Sequence, residues 1–403
     1  MKFNGFVFLL ISFSLLSCRK VNKDCNQNIY ENAPEKEWIK SHDGSKEESH
    51  GHFIMTCSDG GFLQIGETGF ITSSSHLLVI KTNSNGELIW KKEFYVGNHN
   101  LGNSAIETND GYIICGSLNE NSTVINLNKE NGEVIFKTTI DNGGTDAFEH
   151  IAKIENGYVA VGYVNAADRL NTFYTEGQGY ITFLNEEGNK VNGINFNAYL
   201  SHAYRIKYFN NELIIAGLTE SSNDYGVIKT DTSGNVIWNK TYGGSQPDHC
   251  FGMDINDEGE IFLTGHTLSG TENWDTYTMK IDNDGNQIWE TKIGNPRGFD
   301  PKYIHDEAWG VRSSADGGCV VVAGTGDEYN NYKKRCGNSG DNSNIWHVYI
   351  IKFNNTGSVD WEKTYGGDSK VNWAGEDIDL TPDGGAIVAV DNSSFGFLKI
   401  QPF

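Results

Sequence analysis

The sequence has little proline, little positive charge and no long helical pattern. It contains 6 Pro among 403 residues, and its 31 Lys and Arg are outnumbered by 53 Asp and Glu, which gives a net charge of −22. Nucleic-acid phosphates require neutralisation by Lys and Arg, so this balance excludes nucleic acid as a partner. An anionic ligand would need a local cluster of cations to hold it against the overall field. Without helical periodicity, the chain is predicted to be all-β.

Several sequence motifs of enzymes are also missing. No GxSxG, Walker or dinucleotide-binding motif occurs, so we expect no organic cofactor. The 7 Cys are scattered without a CxxC spacing, and no disulfide framework can be read from them. Any catalysis should therefore depend on ordinary acid–base side chains.

The one strongly apolar segment lies at the N-terminus. Lys2 precedes an apolar run that is too short to span a bilayer, and Leu15-Leu16-Ser17-Cys18 resembles a bacterial lipobox. We predict a signal peptide over residues 1–17, a lipid on Cys18 and a polar tether over 18–36. The protein is then expected on the outer membrane or cell surface of a Gram-negative bacterium, with the lipid as its sole membrane contact. An ordinary secretory signal is the alternative.

A four-strand unit repeats along the rest of the chain. Residues 248–289 contain four short apolar runs separated by Gly, Asn and Asp, which is typical of an antiparallel meander. A glycine is predicted to end the second strand of six units, and Val390 takes its place in the seventh. These glycines are Gly66, Gly116, Gly162, Gly217, Gly265 and Gly324. The fourth strand carries an aromatic residue in five units, namely Trp90, Phe136, Trp238, Trp289 and Trp361, and Asn192 in the third.

The two ends of the chain complete each other. The last unit stops after its third strand, while residues 37–40 (EWIK) match the fourth-strand segment 360–363 (DWEK) in kind. We therefore predict one seven-bladed β-propeller over residues 37–403, monomeric, with four-stranded blades and a ring closed by the N-terminal strand.

In four of the seven units, alignment places an ionisable residue where the chain enters the central channel. Each first strand is aligned on one apolar residue, and these anchors are Ile54, Ile106, Ile151, Ile206, Met253, Val311 and Ile378. The residues four positions before the anchors are, in the same order, His50, Gly102, Ala147, His202, His249, Glu307 and Ala374. The preceding Asp146, Asp248 and Asp306 are expected to cap turns.

Two chemistries fit this face of the ring. His305, Cys336 and His347 form a borderline-soft ligand set on the largest insertions, which predicts one structural zinc ion. The other possibility is proton abstraction next to a carboxylate, for which Arg would neutralise the anion and His or Tyr would move protons. The residues for it are His76, His99, Tyr163, Arg169, His202, Tyr204 and Arg205.

The repeats resemble the Gly-rich propellers of exported Bacteroidetes proteins and, more narrowly, the seven-bladed ulvan lyases. The resemblance implies β-elimination on a sulfated, uronate-containing algal polysaccharide, with a histidine pair matched by His76 and His99. Tyr163 and Arg169 would complete the catalytic set, and Tyr204 and Arg205 compete for those two roles. Substrate binding would then fall to His202, Tyr204, Arg205 and His249.

Two questions stay open at this stage. The same residues would serve cleavage of a glycosidic bond or loss of water from a terminal uronate. A glycan-binding or scaffold propeller without catalysis is the rival function, and it would need exposed aromatic platforms. Trp274, Trp309, Trp346 and Trp373 qualify by position.

Overall fold

Each repeat folds as a four-stranded antiparallel sheet, and seven such sheets form the molecule. The computed structural model describes residues 30–69, 74–97, 99–166, 177–220, 223–328, 342–366 and 371–403. The predicted signal peptide, Cys18 and most of the tether lie outside these ranges. Within them the helical structure is limited to one short 3₁₀ turn, Pro301–Tyr303, and no helix is long and apolar enough to cross a membrane.

The strands follow one another in the order of the repeats. The ring-closing strand is β1 (Lys36–His42). Blades one to three comprise β2 (Ser49–Thr56), β3 (Phe62–Thr68), β4 (His76–Thr82), β5 (Leu88–Phe94); β6 (Asn100–Glu107), β7 (Gly111–Leu118), β8 (Asn121–Asn128), β9 (Val134–Ile140); and β10 (Thr145–Ile154), β11 (Gly157–Ala166), β12 (Gln178–Leu184), β13 (Lys190–Asn195). Blades four to seven comprise β14 (His202–Phe209), β15 (Glu212–Leu218), β16 (Tyr225–Asp231), β17 (Val236–Tyr242); β18 (Asp248–Ile255), β19 (Ile261–Thr267), β20 (Asp275–Ile281), β21 (Gln287–Ile293); β22 (His305–Ser313), β23 (Cys319–Gly326), β24 (His347–Phe353), β25 (Val359–Tyr365); and β26 (Ala374–Leu380), β27 (Ala386–Asp391), β28 (Phe395–Ile400).

The N-terminal strand closes the ring, as predicted. β1 pairs antiparallel with β28 and completes the seventh blade in the order β26, β27, β28, β1. The residues just before it are also held, because the Pro34 carbonyl accepts a hydrogen bond of 2.8 Å from the Tyr365 hydroxyl. Closure removes the exposed sheet edge that an open row of blades would carry.

The core consists of apolar side chains packed between neighbouring blades. Ile65 and Leu77 of the first blade, for example, share one buried cluster with Ile114 and Ile125 of the second. Alternate residues of each strand supply opposite faces, so the inner strands are buried on both sides by the blades before and after them. The fold therefore depends on stacking and not on any single sheet.

Each first strand carries a β-bulge. The bulge explains why the first five blades have a glycine at the repeated second-strand position. In the first five blades a Cβ on this glycine would lie between 1.7 and 2.1 Å from a first-strand carbonyl oxygen beside the bulge. The prediction that the glycine ends the second strand is wrong, because Gly66 lies inside β3 and Gly265 inside β19. In the sixth blade the equivalent residue is Ala323, paired with Ala308, and not Gly324.

A lysine in the third strand and a tryptophan in the fourth strand form another repeated pair. The pairs are Lys81↔Trp90, Lys229↔Trp238, Lys280↔Trp289, Lys352↔Trp361 and Lys399↔Trp38. Each lysine forms an ion pair with a carboxylate near the turn between the first two strands; the Lys81 Nζ–Asp59 Oδ2 distance is 2.8 Å, for instance. Positions 126 and 183 of the second and third blades have Asn and Phe instead.

Candidate active site in the central channel

The bulged residues of all seven first strands line one cavity on the ring axis. In each blade the pairing of the first two strands skips one residue, which is the extra residue of the bulge. These residues are His52, Asn103, Glu149, Tyr204, Phe251, Trp309 and Glu376, and every one of them contacts the cavity. Because the bulge leaves a residue unpaired and bends the strand, it can aim a side chain at the axis.

The cavity has a volume of about 200 Å³ and is completed by His50, Arg205 and Asp391. That is smaller than the roughly 300–1,000 Å³ typical of sites for drug-sized ligands, so a single ring with its substituents is the appropriate scale. The lining combines three aromatic residues, Tyr204, Phe251 and Trp309, with six ionisable ones. This combination suits a polar ligand with one flat, apolar face.

His52 is held as a cation by Glu67. The His52 Nε2 and Glu67 Oε2 atoms are 2.5 Å apart. Burial disfavours the charged imidazole, but the Glu67 charge and hydrogen bond outweigh burial and raise the pKa of His52 to about 9. The neighbouring His50 lies 3.0 Å from Glu48 and 4.0 Å from Asp391. Burial opposes the charged form of His50, but the charges of Asp391 and Glu67 and the hydrogen bond to Glu48 raise its pKa. On this side of the cavity both imidazole rings are therefore paired with carboxylates.

Two carboxyl groups in the cavity have unusually high pKa values. Burial raises the pKa of Glu149 to about 7, although the charges of Arg205 and His52 oppose the shift. Burial and the charge of Asp391 raise the pKa of Glu376 to about 8. Neither carboxyl group makes a hydrogen bond or ion pair with another described side chain. Carboxyl groups that titrate near neutral pH are candidates for proton transfer.

Arg205 is a cation without a carboxylate partner among the described residues. Its Nη1 donates a 3.1 Å hydrogen bond to the Tyr204 carbonyl oxygen, and no described carboxylate oxygen lies within 4.0 Å of it. Burial lowers the pKa of Arg205, and the nearby charge of Asp377 partly offsets this. Its guanidinium therefore has donors available for an anion from outside the protein.

The opposite end of the channel differs, because its cations are paired. Arg205 also borders a second cavity of about 340 Å³, which contains Arg312 and Lys207. Arg312 Nε lies 3.0 Å from Asp379 Oδ1, and Lys207 Nζ lies 2.7 Å from Asp254 Oδ1. Those ion pairs join neighbouring first strands, so this end serves mainly to hold the ring together.

An aromatic wall runs along one side of the channel. The Tyr204 and Phe251 ring centroids are 4.8 Å apart, and those of Phe251 and Trp309 are 4.4 Å apart. Behind the wall, His202 stacks on Tyr204 with their centroids 5.6 Å apart. Aromatic faces of this kind pack against the C–H face of a sugar ring and leave its hydroxyl groups free for polar contacts.

The predicted histidine pair lies away from the cavity. His76 Nδ1 is 3.0 Å from Glu93 Oε2, and its ring stacks on Tyr95 at 4.2 Å. His99 is buried at the junction of the first two blades, where the adjacent Asn100 bonds to Ser75. The two histidines thus border the same junction, but neither contacts the central cavity. Arg169 lies outside the described residues.

The other predicted residues are divided between the cavity and the packing behind it. Tyr204 and Arg205 line the cavity, whereas Tyr163 is buried with its ring 4.6 Å from that of His202. His249 Nδ1 lies 3.2 Å from His266 Nε2, and burial lowers the pKa of His249 to about 4. These buried rings support the aromatic wall.

The predicted zinc ligands are described only in part. His305 pairs with Gly326 and His347 with Thr325, so both lie at the same end of the sixth blade. Cys336 lies outside the described residues, and the part of the chain that is described has no group of three or more potential ligands arranged for a metal. The zinc site stays a prediction.

Turn capping by aspartate is confirmed. Asp146 accepts from the Asn142 amide at 2.7 Å, Asp248 from the Gly244 amide at 2.6 Å, and Asp306 from the Asn295 amide at 2.6 Å. Trp373 is buried and is no exposed platform, in contrast to the half-buried Trp309 and Trp346.

Sequence reasoning missed His52, Glu149 and Glu376 because it counted four residues back from the anchors. The bulged residue stands two positions before the first-strand anchor. In the second blade the matching anchor is Ala105 and not Ile106. A usable signal was present, since a large or ionisable residue occurs at this offset in six of the seven units, and the second has Asn103.

Comparison with known proteins identifies the class of fold. No protein-family model and no curated protein matches the chain. The WD40 propeller domain of Doa1 is similar in structure, with 10% identity, a TM-score of 0.55 and coverage of 92% of this chain and 98% of that one. A catalytically inactive virginiamycin B lyase from Staphylococcus aureus with quinupristin has 13% identity and a TM-score of 0.56, and the match covers 90% and 99% of the two chains. Kuenenia stuttgartiensis hydrazine synthase has 10% identity and a TM-score of 0.57, with 89% and 96% covered. At these identities the likeness establishes the β-propeller fold alone.

Proposed function

We propose that the central cavity binds the uronate residue of an anionic carbohydrate and breaks a carbon–oxygen bond by β-elimination. The observation that carries the proposal is the presence of a guanidinium without a carboxylate partner, Arg205, and a carboxyl group with a pKa of about 7, Glu149, in one cavity. A uronate needs both groups, one for its carboxylate and one for the proton beside it.

Neutralisation of the substrate carboxylate is the first requirement. Loss of the C5 proton places negative charge next to an existing anion, so the transition state is costly unless a cation shares that charge. Arg205 can bind a carboxylate in a bidentate manner. This interaction strengthens as the carbanion forms, and it therefore contributes to turnover as well as to binding.

Proton transfer is assigned to the two carboxyl groups. Ionised Glu149 takes the C5 proton, the electron pair of that C–H bond forms the C4=C5 double bond, and the C4–O bond breaks. Protonated Glu376 supplies a proton to the leaving oxygen. Their pKa values of about 7 and about 8 support this division near neutral pH, since the group with the lower pKa is the one already ionised. The assignment replaces His76 and His99, because neither of them contacts the cavity.

The aromatic wall would orient the sugar. Phe251 and Trp309 line the cavity from the fifth and sixth blades, whereas Glu376, His52 and Glu149 line it from the seventh, first and third. A sugar ring stacked on them would direct its carboxylate away from the wall, towards the cations. The leaving group is either the next sugar of the chain or water.

The experiment is incubation of the purified protein with uronate-rich oligosaccharides while ultraviolet absorbance records the conjugated 4,5-unsaturated product. We expect turnover by the wild type and a loss on the order of 10²-fold or more in Glu149→Gln. Glu258→Gln, at an exposed turn on a different part of the surface, is the matched control. Binding without any unsaturated product would favour the glycan-binding function, and no binding at all would overturn the proposal.

The proposal also includes the location predicted from the N-terminus. A lipid on Cys18 would hold the propeller at the cell surface, where extracellular carbohydrate is available. Cys18→Ala should move the protein from the membrane fraction to the soluble fraction. Continued sedimentation with membranes would contradict the anchor without affecting the chemistry of the cavity.

A further inference from the structure

The central cavity continues sideways between the sixth and seventh blades. A second cavity of about 230 Å³ shares Trp309, Glu376 and Asp391 with the central one. Its other lining residues include Glu307, Glu328, Trp346 and Asn372. A ligand in the central cavity that extends beyond one ring would therefore enter this side cavity, which we call the lateral subsite.

Trp346 forms a fixed floor of the lateral subsite. Its indole ring lies against the backbone of β23, where a Cβ on Gly326 would be 2.5 Å from the ring and one on Gly324 would be 3.0 Å from it. The backbone amide of Trp346 donates a 3.0 Å hydrogen bond to Asn372 Oδ1. Two glycines thus provide the space for a flat, half-buried indole. Such a surface suits the apolar face of a second sugar.

The charge of the lateral subsite is opposite to that around Arg205. Besides Glu376, which is the uncharged proton donor of the proposed reaction, its lining has three carboxyl groups, those of Glu307, Glu328 and Asp391. It has no Lys or Arg among the residues that the structure describes. Histidines lie at its margin: His305 Nδ1 is 3.4 Å from Glu307 Oε1, and His50 Nε2 is 4.0 Å from Asp391 Oδ2. Carboxylates at short range in a partly closed cavity repel a sulfate or a second carboxylate strongly.

We propose that the lateral subsite binds an uncharged sugar linked to the uronate and rejects a sulfated one. This inference rests on the proposed function, because it takes the uronate to lie beside Arg205. It names the substrate class more narrowly: an acidic sugar followed by a neutral, unsulfated sugar. The aromatic floor recognises the ring, and the carboxylates select its charge.

Calorimetric binding to three probes separates the two sites. The probes are methyl glucuronide, an unsulfated glucuronate–N-acetylgalactosamine disaccharide and the same disaccharide with a sulfate on the amino sugar. We expect the wild type to bind the unsulfated disaccharide at least about tenfold more tightly than the sulfated one. The double variant Glu307→Gln/Glu328→Gln should reduce that ratio to about threefold or less, while Glu258→Gln should leave it unchanged.

The aromatic floor has its own variant and control. Trp346→Ala should weaken binding of the unsulfated disaccharide by about fivefold to tenfold and leave the affinity for methyl glucuronide unchanged. Ile237→Ala, which truncates an exposed apolar side chain outside both cavities, should change neither affinity. Circular dichroism of each variant checks that the propeller has folded.

The outcomes distinguish the inference from the function on which it rests. If methyl glucuronide binds but the two disaccharides bind equally well, the lateral subsite is wrong and the central site stands. An unchanged ratio in the double variant has the same meaning. Failure of methyl glucuronide to bind the wild type overturns both.

Discussion

Two sets of equivalent residues, one in the first strands and one in the third strands, differ in how strictly the repeat is kept. The bulged residues that surround the axis are His52, Asn103, Glu149, Tyr204, Phe251, Trp309 and Glu376. The third-strand positions that pair with the repeated fourth-strand position hold Lys81, Asn126, Phe183, Lys229, Lys280, Lys352 and Lys399. The first set is diverse, and the second set is lysine in five blades of seven.

The difference follows from what each side chain contacts. Lys280 Nζ binds Glu260 of its own blade at 2.6 Å and the Gly317 carbonyl of the next blade at 3.1 Å. Trp289 Nε1 donates to the Asn355 carbonyl at 3.0 Å, also in the next blade. Where the neighbour is a turn that every blade repeats, the same side chain is needed each time. Where the neighbour is a cavity, each blade can contribute a different group.

We call the third-strand set the structural set, because its side chains hold neighbouring blades together. The third blade shows that this set tolerates an exchange. Here Phe183 occupies the lysine position and faces Asn192, so the aromatic residue stands on the third strand and the polar residue on the fourth. The aromatic–polar pair is kept while its members change strands. The packing requirement therefore applies to the pair and not to either position alone.

The largest effect is expected from Arg205→Gln, which should lower kcat/KM on the order of 10²- to 10³-fold. The free energy of unfolding should change little, because the guanidinium loses only one hydrogen bond to a carbonyl oxygen. Steady-state kinetics on uronate oligosaccharides and urea denaturation measure the two quantities. A large loss of stability with full activity would place Arg205 in the structural set.

Gly265→Ala should destabilise the fifth blade by about 1–3 kcal/mol or more. The new Cβ would lie 1.7 Å from the His249 carbonyl oxygen, so the bulge or the strand beside it must shift. Urea denaturation gives the change in free energy. Ala323→Gly in the sixth blade is the matched control, and we expect it to cost no more than about 1 kcal/mol. Equal costs would show that the bulge does not require glycine.

Lys280→Met should lower the free energy of unfolding by about 1–2 kcal/mol and leave turnover unchanged. The substitution removes contacts to Glu260 and to the next blade, although Glu260 is exposed enough to regain water. Lys137→Met, at an exposed lysine of β9, is the control and should have little effect on stability. Loss of activity without loss of stability in Lys280→Met would contradict the structural role of this set.

A further prediction concerns pH. Glu149 and Glu376 keep their protons in the folded protein to pKa values of about 7 and about 8, above the 4.5 expected in an unfolded chain. The folded state therefore binds more protons between those values, so the free energy of unfolding should decrease as pH rises from about 4.5 to 8.

Glu376→Gln should flatten this dependence, because it removes one of the two titrating groups. Its melting temperature should exceed that of the wild type at pH 8 and approach it at pH 5. Thermal denaturation over that range measures both. A wild type whose stability rises steadily to pH 8, with no difference in the variant, would show that the carboxyl group is ionised at neutral pH.

Much of the architecture could be predicted from local patterns. Turn residues at regular spacing indicated the meanders, and the unpaired third strand 395–400 together with residues 37–40 predicted closure of the ring. Asp146, Asp248 and Asp306 were expected to cap turns, and they do. These features depend on contacts between residues close in sequence or on a repeat that shows itself many times.

The sequence by itself determined the number of blades, their strand order and the excess of negative charge, because each depends on composition or periodicity. Only the tertiary structure decided which residues meet on the axis. A bulge shifts the strand's alternation by one residue, so that Glu149 and Glu376 face the cavity while His76 and His99 do not. The raised pKa values of these carboxyl groups arise from burial by seven strands that are distant in sequence. No single repeat contains that information.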